Sequence, residues 1–264
     1  MLTLSPIAGY VPNTLQGAVC QPPSTNTCVE VDYFPLYTPG GVADLDSAID
    51  TTIGTTPNTK VVVFAHSNGA QVAEHWLAEH ADDPDAPSAN QLSFVLLGNS
   101  TRACGGVDAG LDVAPQTQYH VIDVARQYDL TVDFPDNPFN LLVLANVFAG
   151  LVFMHDYRPV NITDPANFVW RVGNTTYVLV PTENLPLLEP LRWVGLSGLA
   201  DALNGPLKEI VEQGYDRSYL AMAQPAPTAI TTAAPSTLST TVVADSTVAS
   251  QDTSVPVSLT LAPQ

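Results

Sequence analysis

A continuous run of apolar residues leads directly into a short polar turn and then an amphipathic helix, and this junction constrains the fold more than any other feature. The run is Lys60–Ala65 (KVVVFA), and its unbroken β-branched character is typical of a strand buried on both faces of a parallel sheet. After the turn HSNG, the residues Ala70, Ala73 and Trp76 fall on one stripe of a helix. The sequence therefore predicts a sharp strand-to-helix turn with Ser67 at its apex.

The rest of the sequence up to about residue 220 alternates strand signals with helix signals, which favours an α/β sheet over a sandwich. Further strands are expected at Val29–Phe34, Leu92–Leu97, His120–Val124 with an extension to Asp129, Phe168–Val172 and Thr176–Val180, the last two forming a hairpin around Gly173 and Asn174. Helices are expected within Asn140–Met154 and Leu185–Val211. We predict a central, mostly parallel sheet flanked by helices.

The composition changes abruptly near residue 223. From Pro225 to Gln264 the chain contains no aromatic residue, no Lys and no Arg, and Thr, Ser, Ala and Pro dominate. Such a segment buries too little apolar surface to offset its conformational entropy. We therefore predict one folded domain over residues 1–223 and a disordered tail over residues 224–264.

The charge balance excludes several classes of partner. Eight Lys and Arg residues against 26 Asp and Glu give a net charge of -18, which repels nucleic-acid phosphates and disfavours anionic membranes. No apolar run reaches the roughly 18 residues that are needed to span a bilayer. The first ten residues lack the basic region and the long apolar region of an ordinary signal peptide. We expect neither nucleic-acid binding nor a transmembrane segment.

The three cysteines are too few for a disulfide scaffold. Cys20 and Cys28 flank a loop of Pro, Ser, Thr and Asn and are able to pair in an oxidising compartment, which leaves Cys104 alone. The alternative is three unrelated small residues, and the pattern leaves both open. Since no His or carboxylate stands at ligand spacing around any of them, we expect no metal site.

The turn around Ser67 has the pattern of a nucleophile elbow, G-x-S-x-G, in which a strained serine projects above the end of a buried strand. Small residues two before and two after the serine let strand and helix pass closely. Here these positions are Ala65 and Gly69. The alternative is an ordinary strand-turn-helix with a chance serine, but the surrounding strand and helix favour the elbow.

A nucleophilic serine needs a histidine as its base, and the five histidines can be separated by position. His66 adjoins the serine and is expected to point away from it, while His75 and His80 lie on the following helix. His120 begins a strand that precedes any suitable acid. His155 lies late in the sequence, just after the apolar, helical pattern ends at Met154. This position agrees with the order Ser, acid, His that is typical of α/β-hydrolases.

The base in turn needs a carboxylate that orients it. We choose Asp129 because it closes the strand that begins at His120, and Asp133 is the alternative. Stabilisation of a developing oxyanion would come from the backbone N–H of Asn68. A second N–H is expected in the loop after the first strand, with Gly9 as the candidate.

The apolar segment between the predicted acid and base, PFNLLVLANVFAGLVFM, is too short to span a membrane. One interpretation is a buried core helix. The other is that one helix face lines an acyl channel, with Leu144 and Phe148 contacting substrate, because the segment connects two site residues.

Several segments together resemble the PE-PPE domain, a mycobacterial, cutinase-like serine α/β-hydrolase domain. They are HSNGAQVA, FVLLGNSTRACGGVDAG, YDLTVDFPDNPFNLLVLANVFAGLVFMHDY, GNTTYVLVPTENLPLLEPLR and VEQGYDRS, and the resemblance covers about residues 1–220. It implies an α/β-hydrolase-like fold, no cofactor, and hydrolysis of short- to medium-chain acyl esters or lipids by Ser67, Asp129 and His155. The family's usual elbow, Gly-Tyr-Ser-Gln-Gly, reads Ala-His-Ser-Asn-Gly here.

A second hypothesis is a catalytically weak hydrolase fold that serves as a binding or structural module of an envelope or a virion. Nucleotide binding is weakly supported, because no G-x-G-x-x-G opens a helix. We expect a secreted or envelope-associated protein, with a virion-associated or cytoplasmic one as alternatives. The sequence predicts no oligomeric state.

Overall fold

In the computed structural model, which describes residues 1–35, 37–56, 59–110 and 116–226, eight strands form a single sheet. The strands are β1 (Leu2–Leu4), β2 (Val29–Glu30), β3 (Val61–His66), β4 (Leu92–Leu97), β5 (His120–Arg126), β6 (Phe168–Val172), β7 (Thr175–Val180) and β8 (Gln224–Pro225). Their order across the sheet is β2-β1-β3-β4-β5-β7-β6-β8. All pairings from β2 to β7 are parallel, whereas β6 is antiparallel to both of its neighbours.

Five α-helices accompany these strands within the described ranges. They are α1 (Thr38–Thr55), α2 (Asn68–Glu79), α3 (Leu141–Phe153), α4 (Glu189–Trp193) and α5 (Ser197–Glu212). Short 3-10 helices lie at Val11–Asn13, Leu15–Gly17, Pro186–Leu188 and Ser218–Met222. The predicted α/β class, with a mostly parallel sheet flanked by helices, is confirmed.

The central strands are buried on both faces, which explains their continuous apolar sequence. Side chains alternate between the two faces of a strand, so Val63 and Ala65 pack into the core beneath α1 and α2. Phe64 points the other way, into a second core that includes Val11 and Tyr157. The sheet is thus covered on both sides.

Three predicted elements are shorter than expected. The strand expected at Val29–Phe34 pairs only over β2, since its one neighbour, β1, is itself three residues long. The strand expected to reach Asp129 ends at Arg126, because Tyr128 takes a positive φ of 68° that turns the chain. The helix expected within Leu185–Val211 is divided into a 3-10 helix, α4 and α5.

The predicted hairpin is present, with Gly173 at a φ of 58° in its turn. At the C-terminal end, β8 pairs with β6 and Ala226 is buried, so the folded chain continues slightly past the predicted boundary at residue 223. The remainder of the predicted tail, residues 227–264, lies outside the described residues.

Cys20 and Cys28, whose pairing the sequence left open, form a disulfide, and Cys104 is free. In the part of the chain that the structure describes, no helix has both the length and the hydropathy to cross a membrane. Nor do the described residues contain a group of three or more His, Cys, Asp or Glu side chains that could hold a metal ion.

Candidate active site

The strand-to-helix turn has the geometry of a nucleophile elbow. Strand β3 ends at His66 and α2 begins at Asn68, so Ser67 alone makes the turn, with φ 54° and ψ −124°. A positive φ is uncommon for a residue with a side chain, and strained residues of this kind cluster at functional sites. A Cβ on Gly69 would lie 2.6 Å from the carbonyl oxygen of Leu4. The helix can therefore cross β1 this closely only with glycine at that position.

Ser67 lies at one end of a chain of hydrogen bonds. Its Oγ is 2.9 Å from Nε2 of His155, and Nδ1 of the same ring is 2.9 Å from Oδ2 of Asp129. The Asp129 side chain is fully buried, while 19% of the His155 side chain is exposed. The three residues predicted to act together are thus brought into contact from three separate segments, in the arrangement of nucleophile, base and orienting acid.

The carboxylate of Asp129 is held by further donors. Its Oδ1 accepts hydrogen bonds from the backbone N–H of Thr131 at 3.1 Å and from that residue's hydroxyl at 2.9 Å. The Tyr157 hydroxyl donates to Oδ2 at 3.1 Å. Burial and the nearby Asp129 charge raise the pKa of Tyr157 well above its usual value, so this hydroxyl remains a donor. Sequence reasoning missed both residues, although each lies two positions from a predicted site residue.

Asp133, the alternative acid, faces a different partner. Its Oδ2 accepts the backbone N–H of Tyr128 at 2.7 Å and a hydrogen bond from Nη2 of Arg217 at 2.9 Å. Nη1 of Arg217 contacts its other oxygen. A bidentate guanidinium–carboxylate pair is geometrically specific. Asp133 therefore holds the turn that carries Asp129 and does not contact His155.

Helix α3 also presses on this turn. A Cβ on Gly150 would lie 1.7 Å from the carbonyl oxygen of Tyr128, so only glycine allows the helix to approach. On its other side, the Tyr128 hydroxyl donates to the carboxylate of Glu212 at the end of α5. The strained residue before Asp129 is thus fixed by contacts that no local sequence pattern reveals.

His66 does not point away from the site as predicted. Its ring centroid lies 5.0 Å from that of His155 and 4.4 Å from that of Tyr10, and its Nδ1 is 3.3 Å from the Ser5 hydroxyl. Burial, and secondarily the neighbouring His155, lower the pKa of His66 to about 3. His66 is therefore an uncharged ring that packs beside His155. The expectation failed because the ring leaves β3 on the side where His155 packs.

The two expected oxyanion donors fare differently. Asn68 is the first residue of α2, so its N–H has no acceptor within the helix and is oriented with the positive helix end. The N–H of Gly9 instead donates to both carboxylate oxygens of Glu30, at 3.0 and 3.3 Å. The structure does not offer Gly9 to an oxyanion, because this loop is tied to β2.

Helix α3 combines the two interpretations of its sequence. One face is buried and contributes Val143 and Val147 to the core. Leu144 is half-buried, and Phe148 is 56% exposed. The structure therefore does not enclose Phe148 in a channel, because this residue lies on the outer face of the helix.

A mostly parallel sheet with a strained serine between strand and helix, linked through histidine to a buried carboxylate, defines the α/β-hydrolase class. Within that class, the chain belongs to the PE-PPE domain family, whose domain matches residues 37–216.

Three relatives of the chain carry names that state an activity, one as an esterase and two as acyltransferases. The chain is 38% identical to "Esterase PE16" of Mycobacterium tuberculosis (strain ATCC 25618 / H37Rv), covering 60% of this chain and 34% of the relative. It is 31% identical to "Diacyltrehalose acyltransferase Chp2" of the same strain, covering 67% and 56%. It is 28% identical to "SL1278 acyltransferase Chp1", again of that strain, covering 71% and 48%. The chain spans about a third to a half of the curated relatives it matches. These relatives support an ester-acting enzyme family.

Proposed function

We propose that the protein is a serine esterase that hydrolyses carboxylic esters through an acyl-enzyme. Ser67 Oγ attacks the ester carbonyl while His155 Nε2 accepts its proton. Asp129 keeps the imidazole in the tautomer whose Nε2 is free to accept, and it stabilises the imidazolium that forms. The proposal rests above all on the two 2.9 Å hydrogen bonds that join these three side chains.

The remaining steps use groups at the same place. The N–H of Asn68 stabilises the negative oxygen of the tetrahedral intermediate. Collapse of that intermediate expels the alcohol, which takes its proton from the His155 imidazolium. Water then attacks the acyl-enzyme with His155 as base, which releases the acid and restores Ser67. No step needs a cofactor or a metal ion.

The neutral His66 ring suits this cycle. The imidazolium of His155 forms transiently, and a second positive charge beside it would oppose that step. Because the pKa of His66 is lowered to about 3, this ring is neutral near pH 7. Short- to medium-chain acyl esters or lipids are the proposed substrates, as for a cutinase-like domain.

A second candidate function is acyl transfer to an alcohol acceptor instead of water. The names of two relatives, both acyltransferases, favour it. The chemistry of the serine is the same, and only the second nucleophile differs. The Cys20–Cys28 disulfide and the likeness to mycobacterial PE and PPE proteins support a secreted or envelope-associated location.

A fluorophosphonate probe followed by intact-mass measurement tests the proposal, because only an activated serine reacts. We expect one label per chain, no label on Ser67→Ala, and loss of p-nitrophenyl butyrate hydrolysis in that variant. Ser47→Ala, at an exposed position of α1, is the matched control and should react normally.

An unlabelled wild-type protein would favour the non-catalytic binding module, and full activity in Ser67→Ala would place the nucleophile elsewhere. Adding glycerol to the unlabelled enzyme while it turns over p-nitrophenyl butyrate separates the two candidate functions. Hydrolysis releases only butyrate, whereas acyl transfer yields glyceryl butyrate.

A further inference from the structure

Large apolar side chains are exposed along one region of the described structure, formed by the outer face of α3, the end of α4, the start of α5 and the residues between those two helices. We call this region the apolar face. Its members are Leu141, Phe148, Leu151, Val152, Trp193, Val194, Leu196 and Leu199. Val152, Trp193 and Val194 are 70%, 73% and 71% exposed. A contiguous patch of exposed apolar side chains typically marks an interaction site.

The two parts of the apolar face adjoin each other. The rings of Phe153 and Trp193 meet edge to face, with centroids 4.9 Å apart. Behind them, Val143 of α3 and Leu188 share a buried core with Ala200 of α5. The same packing that buries the inner sides of these helices therefore holds their outer apolar sides together.

The apolar face is also uncharged, in a protein that is strongly acidic. Residues 137–155 contain no Asp, Glu, Lys or Arg, and neither do residues 193–200. The whole chain carries a net charge of -18. A second copy of the chain, or an anionic bilayer, would be repelled by that charge, whereas an electrically neutral lipid surface would not.

We propose that the apolar face binds the surface of a neutral or zwitterionic lipid assembly, and so brings the serine site to ester substrates held at that surface. The inference rests on the proposed esterase function, whose substrate it specifies. The face adjoins the site along the chain, since α3 ends at Phe153 and only Met154 separates it from His155. Tryptophan favours the boundary between water and lipid, and Trp193 is an exposed member of this surface.

The position of the tryptophans allows a direct test. The chain has three, all within the described residues, and Trp76 and Trp170 are buried whereas Trp193 is exposed. We expect Trp193 emission to shift to the blue on addition of phosphatidylcholine vesicles, and the protein to float with them. The Ser67→Ala variant is used so that no lipid is hydrolysed. Phosphatidylglycerol vesicles should bind it more weakly at low salt.

Variants separate the apolar face from general stickiness. In the double variant Val152→Ser/Val194→Ser, vesicle partitioning should fall by about tenfold or more. The variant lacks the two exposed valine side chains whose transfer from water into lipid favours binding. Val172→Ser, at an exposed apolar position of β6 outside the face, should bind as the parent does. When the double variant carries Ser67, it should hydrolyse soluble p-nitrophenyl butyrate at the same rate as the wild-type protein.

Several outcomes would overturn the inference. Equal or tighter binding to phosphatidylglycerol would contradict the charge argument, and unchanged partitioning of the double variant would remove the assigned surface. If the parent protein sediments as a dimer and the double variant sediments as a monomer, the apolar face binds a second copy of the chain. If the enzyme reacts with the fluorophosphonate probe yet binds no vesicle, the inference fails and the proposed esterase function stands.

Discussion

On the nucleophile side of the site, the residues that set the geometry are close neighbours in sequence, whereas on the acid side they come from four separate segments. Strand β3, Ser67 and α2 form one continuous stretch from residue 61 to residue 79. Asp129 depends on the turn around Tyr128, on Gly150 of α3, on Tyr157 and on Arg217.

The difference shows that the two halves of one catalytic arrangement can have unlike origins. An elbow is a steric solution to a tight turn, and small residues beside the serine are enough to permit it. A buried carboxylate must be hydrogen-bonded from all sides to stay in place, and its donors can come from anywhere in the chain. We therefore expect changes far from Asp129 in sequence to disturb the acid side more than the nucleophile side.

The largest expected effect distinguishes the two carboxylates of the acid turn. Asp129→Asn should lower kcat for p-nitrophenyl butyrate by up to about 10⁴, because the imidazole loses the group that fixes its tautomer. Asp133→Asn should lower kcat far less but destabilise the fold, since the Arg217 guanidinium loses its bidentate carboxylate and keeps only Glu212 as an ionic partner among the described residues. Steady-state kinetics and urea unfolding of both variants measure the contrast. Equal losses of kcat would mean that the turn acts as one unit.

Alanine substitutions of two glycines compare the two sides by steric means. Gly150→Ala should lower the free energy of unfolding by several kcal/mol, on the order of the upper range for overpacking, because its Cβ would lie 1.7 Å from the Tyr128 carbonyl oxygen. Gly69→Ala should cost somewhat less, with a nearest distance of 2.6 Å. Gly54→Ala in α1, which meets nothing within 4 Å, is the control. A larger loss in Gly69→Ala would reverse the comparison.

A buried glutamate provides a pH test of the contact between α2, the helix after Ser67, and β5, the strand that leads to the acid turn. Asn99 bridges Glu74 of α2 and Asp123 of β5, donating at 2.7 and 2.9 Å. Burial, and then the Asp123 charge, raise the pKa of Glu74 from 4.5 to about 7. Between these values the folded protein keeps a proton that the unfolded chain has lost, so this stabilising contribution falls as the pH rises from about 5 to 7.

Glu74→Gln removes that titration. The variant should therefore gain stability relative to the parent as the pH is raised, by on the order of 1–3 kcal/mol between pH 5 and pH 8. Urea unfolding at both pH values provides the measurement. An identical pH dependence in parent and variant would show that Glu74 is ionised throughout.

The smallest expected effect concerns Arg217, which acts on Asp129 indirectly, through Asp133 and through Glu212, the acceptor of the Tyr128 hydroxyl. Arg217→Lys keeps the charge but loses the bidentate geometry, and we expect kcat to fall roughly tenfold or less with KM unchanged, as a slightly misplaced acid would cause. Arg192→Lys, which alters an ion pair with Asp201 away from the site, is the matched control. A change confined to KM would contradict a positioning role.

Much of the fold and of the candidate site could be predicted from the sequence. The buried run before Ser67, the helical stripe after it and the late position of His155 all reflect local patterns, and the parallel sheet follows from their alternation. Asp129 was chosen on the expectation that it closes β5, but that strand ends at Arg126. The choice therefore agreed with the geometry although its reason was only partly right.

Other features depended on tertiary contacts. Whether Gly9 is free to bind an oxyanion depended on Glu30, a residue of a neighbouring strand. The place of His66 beside His155, and of Asp133 against Arg217, depended on which side chains meet across the sheet. Phe148 was expected to line an acyl channel, but its side chain is exposed on the outer face of α3.

The sequence by itself determined the strand, the elbow and the helix after it, because periodicity and side-chain size act over a few residues. Only the tertiary structure decided which carboxylate faces His155, what fixes the strained Tyr128, and which side of α3 remains uncovered. Those outcomes depend on contacts between residues up to 84 positions apart, such as Asp133 and Arg217. A linear pattern shows that such a residue needs a partner, but only the packing of the helices against the sheet selects it.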